Sequence, residues 1–69
     1  MTGQEWIAAF AVELGVAAPS AETFEALLAL AGTAAHSSER IAAPIACYLV
    51  GLAGISVADA QAAAGRVQT

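Results

Sequence analysis

The sequence predicts an all-α fold, a small bundle of three to four helices, and three observations predict it. Alanine supplies 20 of the 69 residues, and alanine has the highest helix propensity. The larger apolar residues recur at three- and four-residue spacing, as on one face of a helix. Helix start and stop signals alternate along the chain with no strand pattern, internal repeat or low-complexity tract between them. Residues 1–69 therefore read as a single helical domain.

The first helix spans about residues 3–14. Thr2 can cap it, Glu5 three residues later completes a Thr-x-x-Glu capping box, and Gly15 is a stop signal. Trp6, Ile7, Phe10 and Leu14 fall within an arc of about 100°, which predicts Trp6 and Phe10 as core residues. After the linker Val16–Pro19, Ser20 starts a second helix over about residues 21–36, with Glu22 near its positive end. Phe24, Leu27, Leu28, Ala31 and Ala35 share its predicted inner face. Pro44 suits the first turn of a third helix, about residues 44–53, because the amide it lacks has no helical partner there. Ile45, Tyr48, Leu49 and Leu52 form the strongest face of this helix. Ala46, Cys47, Val50 and Gly51 lie opposite, so the helix is apolar all round and asks for cover on two sides. Gly54 ends it, with Gly51 and Gly54 read as permitting close helix packing. Ser56-Val-Ala-Asp59 caps a fourth helix, about residues 57–65, nearly all alanine and expected to be the least stable part of the chain.

Composition narrows the function classes. Six acids against two arginines give a net charge of −4, which removes the electrostatic attraction to phosphate backbones and anionic membrane surfaces. Nucleic acid is not an expected partner. Residues 41–58 carry no charge and just reach the length of a membrane span. Pro44, Gly51, Gly54 and Ser56 interrupt them, and basic flanks are missing, so a small membrane-associated protein is the lesser reading. The start Met-Thr-Gly-Gln-Glu is unlike a signal peptide, and a cytoplasmic location is expected.

No residue is assigned to catalysis, a cofactor or a metal. His36 is the one side chain that ordinarily titrates near neutral pH. With Ser37 and Ser38 it could suggest a base and a nucleophile, but neighbours along one turn lack in-line geometry and no separate acid is specified. A histidine meeting the negative end of a helix is the plainer reading. Cys47 is the only cysteine, so no disulfide forms within the chain, and its apolar neighbours suit an inert thiol. The carboxylates are scattered, and the Asp-Ser dipeptide of a carrier protein is absent. Six residues are candidate partner contacts: His36, Glu39 and Arg40 at a polar corner, and Cys47, Val50 and Gly51 on the second face of the third helix. That second face predicts a homodimer.

The order Glu5-Trp6-Ile7, Glu13-Leu14-Gly15-Val16, Leu27-Leu28-Ala29-Leu30-Ala31, Ala35-His36, Glu39-Arg40, Ala42-Ala43-Pro44 and Tyr48-Leu49-Val50-Gly51-Leu52-Ala53 resembles a family of uncharacterised small domains of high-GC Gram-positive bacteria. Members occur alone or joined to the C-terminal side of a molybdenum cofactor guanylyltransferase. The resemblance covers roughly residues 4–54, leaves Ser56 to Thr69 outside it, and transfers no catalytic residue. It implies a non-enzymatic interaction or adaptor module accessory to maturation of the guanine dinucleotide form of the molybdenum cofactor. The partner would be a guanylyltransferase or a molybdoenzyme. A self-associating structural protein of an unrelated pathway is the alternative.

Overall fold

The computed structural model describes residues 1–67 and contains four helices: α1 (Gly3–Leu14), α2 (Ala21–Ser37), α3 (Ala42–Ala53) and α4 (Val57–Ala64). The local chemistry at the ends follows the sequence. Thr2 Oγ1 accepts from the Glu5 amide at 3.1 Å while Glu5 Oε1 accepts from the Thr2 amide at 2.7 Å, a complete capping box. Ser20 and Ser56 cap α2 and α4 by accepting from the Thr23 and Asp59 amides. Gly15 and Gly54 close α1 and α3 in the left-handed region, at φ 75° and 68°, which a side chain would disfavour.

The third helix starts earlier than its sequence signal. The carbonyls of Glu39 and Arg40 accept from the amides of Ala42 and Ala43 at 3.0 and 3.1 Å, so the turn before Pro44 is already helical. Pro44 is the third residue of α3 and exposed, still within the turn where its missing amide leaves no vacancy. Pro44→Ala is expected to cost less than about 1 kcal/mol, mostly through a freer unfolded chain. A urea-unfolding midpoint that collapsed on this change would show that the ring, not the helix, organises the corner.

α2 is the axis of the fold, with α3 and α4 both packed closely against it. The contacts are made by small residues. Leu30, at 3% exposed, and Ala60, at 5%, are the buried centre of this part, and Ala11 is the buried residue of α1. Ala31, Ala34 and Ala35 of α2, and Ala42, Ala43 and Ala46 of α3, are partly covered around them. Small side chains let helix axes approach to the short end of the usual 8–10 Å range. Gln61 of α4 also reaches across to α2, donating through Nε2 to Thr33 Oγ1 at 2.8 Å, while Thr33 donates to the Ala29 carbonyl.

This arrangement corrects several sequence expectations. Trp6, Phe10 and Leu28 are not core residues: they are 53%, 44% and 55% exposed. The inner side of α1 is the neighbouring strip of Ile7 and Ala11. On α2 the buried position is Leu30 rather than Leu28, because alanine-sized partners admit only one bulky knob at the centre. α4, expected to be the least stable part of the chain, is not the helix with the least packing. It is docked and tied to α2, whereas α1 has no comparably close backbone packing with any other helix. The chain is correspondingly open, with a radius of gyration of 12.5 Å against about 11 Å for a compact domain of this length.

Candidate interaction surface

α3 is turned inside out relative to its hydrophobicity. Ala42, Ala43, Ala46, Cys47 and Val50 are its partly covered residues, and Ile41, Ile45, Tyr48, Leu49 and Leu52 are exposed. At 100° per residue the two sets centre on nearly opposite sides of the helix. Of the six sequence candidates, Cys47 and Val50 therefore belong to the covered side and do not offer the free face expected of them. Gly51 is exposed, and a methyl group added to it would meet nothing within 4 Å, so it marks no close helix approach. Gly54 likewise has open space around it and serves to end the helix. The volume of the side chains carried the missed signal: alanine and cysteine fit beside an alanine-rich α2, and isoleucine and tyrosine do not.

His36, Glu39 and Arg40 are all exposed at the corner between α2 and α3. His36 sits in the last turn of α2, near the helix's free carbonyl end. Ser38 Oγ donates to the Ala34 carbonyl at 2.8 Å, so that hydroxyl is engaged in ending the helix. Among the described residues no three of the His, Cys, Asp and Glu side chains gather as metal ligands would.

Two open grooves flank α2. One, of about 310 Å³, runs between Leu30 and Thr33 of α2, Ala46 and Leu49 of α3, and Ala63 and Ala64 of α4. The other, of about 640 Å³, lies between the start of α2 and the α3–α4 turn, with Glu22, Thr23, Ser56 and Gln61 among its walls.

On α1, Trp6 and Phe10 stack with ring centroids 4.9 Å apart and planes tilted by 32°, a favourable aromatic geometry. Leu14, 59% exposed, continues their line one turn further on. At the start of the same helix, the Thr2 amide donating to the Glu5 carboxylate holds it below the usual glutamate range, assisted by the Thr2 hydroxyl. A lowered folded value means that ionised Glu5 stabilises the cap above the ordinary range near pH 4.3, and that this contribution is lost as pH falls through the lowered value. Amide exchange at the start of α1 should therefore accelerate on acidification below about pH 4, and Glu5→Gln should flatten that dependence. An exchange profile independent of pH in the native chain, after correction for the intrinsic rate, would remove the cap from the argument.

A small all-α domain that carries its bulky apolar side chains outside is the class these observations define. The chain belongs to the family described as a domain of unknown function, DUF6457, which it matches over residues 1–69. The match includes the segment from Ser56 to Thr69 that the resemblance left outside, and α4 is accordingly part of the domain. It brings no catalytic family with it. No curated protein and no solved structure matches the chain.

Proposed function

We propose that the chain is a non-enzymatic interaction module that docks on a larger protein in maturation of the guanine dinucleotide form of the molybdenum cofactor, in the cytoplasm of a high-GC Gram-positive bacterium. The observation that carries the interaction reading is the Trp6–Phe10 pair, stacked yet about half exposed on a helix loosely held by the rest of the fold. Rigid aromatics at a surface are the residues most often found at the energetic centre of a protein interface. The setting rests on the segment Ala35-His36-Ser37-Ser38-Glu39-Arg40-Ile41-Ala42-Ala43-Pro44, the most distinctive part of the resemblance to domains joined to a guanylyltransferase. His36, Glu39 and Arg40 lie exposed in that segment and would supply its polar contacts.

Titration calorimetry of the chain against a purified molybdenum cofactor guanylyltransferase, and separately against a molybdoenzyme that takes the guanine dinucleotide cofactor, tests the proposal. Binding that weakens at least about tenfold with Trp6→Ala and Phe10→Ala combined is expected. No binding to either protein at about 100 μM would overturn the setting. Binding unaffected by the double substitution would overturn the docking face. The membrane reading finds no support in α3: no helix among the described residues is long and apolar enough to cross a membrane.

A further inference from the structure

We infer that α1 is a hinged arm: it opens away from α2–α4 as one unit about residues 16–20 while the other three helices stay folded, and the opening completes its docking face. Both ends of α1 are finished within its own segment. The Thr2–Glu5 capping box closes the start, and the Gly15 and Val16 amides donate to the Ala11 carbonyl at the end. α2 likewise starts on its own cap, Ser20. Between these two self-contained ends, the backbone of Ala17, Ala18 and Pro19 makes no hydrogen bond among the described residues, and every residue from Val12 to Ser20 is exposed. Turning the chain there breaks no helical hydrogen bond and wets no buried side chain of the linker.

What holds α1 in place is narrow. Ala11, 6% exposed, is its one buried residue, Ile7 is the one other position partly covered, and no backbone packing comparable to α2–α3 or α2–α4 reaches it. An attachment through two side chains on adjacent turns is of the kind that opens locally, well short of global unfolding. At 12 residues, α1 has the length at which an isolated helix is marginal in water, so its amides exchange once it leaves. The covered strip also divides the apolar face. Trp6, Phe10 and Leu14 are exposed in the closed form, whereas Ile7 and Ala11 are hidden. Opening joins the five into one arc of about 140° at 100° per residue, the form in which an amphipathic helix lies in an apolar groove. Only this use of the arm rests on the docking reading above; the opening does not.

Hydrogen exchange of the full chain, corrected for intrinsic rates, tests the arm. The amides of residues 8–13 should exchange together, at least about tenfold faster than those around Leu30, and lose protection in urea that leaves α2–α4 protected. Trp6 is the only tryptophan, so its fluorescence should change at lower urea than the far-ultraviolet circular dichroism of the whole chain. Ala11→Gln should abolish protection in α1 and leave the rates around Leu30 within about twofold. Coincident urea transitions by the two probes, with α1 and α2 amides exchanging alike, would overturn the inference. An Ala11→Gln chain that loses protection throughout would do the same. If α1 opens first but neither the guanylyltransferase nor the molybdoenzyme binds, the cofactor setting falls and the arm stands. If one of them binds through Trp6 and Phe10 while α1 exchanges together with α2, the arm falls and the docking reading stands.

Discussion

Leu30→Ala is expected to cost about 3 kcal/mol, within the range for emptying a buried leucine site. A domain of 69 residues holds only about 3–10 kcal/mol in total, so this single truncation should leave much of the population unfolded at 25 °C. Leu30 is 3% exposed, and it stands where α2 faces α3 and α4 across the smaller groove. The surrounding alanines cannot expand to refill the space. Leu28→Ala, two residues away but 55% exposed, should shift the urea midpoint by less than about 1 kcal/mol equivalent. Equal effects of the two changes would mean that α2 is rotated from the orientation described.

The second large effect runs in the opposite direction of size. Ala60 is 5% exposed on α4, where the helix lies against α2, and Ala60→Leu should cost about 1–3 kcal/mol by forcing the two helices apart. The Gln61–Thr33 hydrogen bond would be stretched with it, so the amide protection of α4 should fall further than that of α2. Ala62→Leu is the control, since Ala62 is exposed and a longer side chain there costs almost nothing. A stabilised Ala60→Leu would show that the α2–α4 contact holds unused space.

Helix existence was legible because it is written in local chemistry. Thr2 with Glu5, Ser20, Ser56, Gly15 and Gly54 each act within about one turn of their own position, so no tertiary information is needed to find them. The inner faces were less legible. Ranking positions by hydrophobicity placed Trp6, Phe10 and Leu28 inside, whereas packing between alanine-rich helices is decided by volume and selected Ala11, Leu30 and Ala60. On α3 the same competition moved Cys47 and Val50 to the covered side and left Tyr48 and Leu52 out. The candidates at the polar corner fared differently. His36, Glu39 and Arg40 were recognisable as exposed from their charge and their place after a helix end, which depend on no distant contact. The start of α3 was misplaced by two residues because its first turn is held by the Glu39 and Arg40 carbonyls, and backbone bonds of that kind leave no residue-type signature.

The outward placement of the large side chains also has a calorimetric consequence. Heat capacity rises on unfolding in proportion to the apolar surface newly wetted. A single chain that already wets Trp6, Ile45, Tyr48 and Leu52 has less to add, so its increment should fall below the ~12–15 cal/mol/K per residue of ordinary domains. Its stability curve should be correspondingly flat, with weak cold destabilisation and a broad thermal transition. The missing increment would reappear on binding of any partner that covers these side chains, as a negative heat capacity of binding that grows with the surface buried.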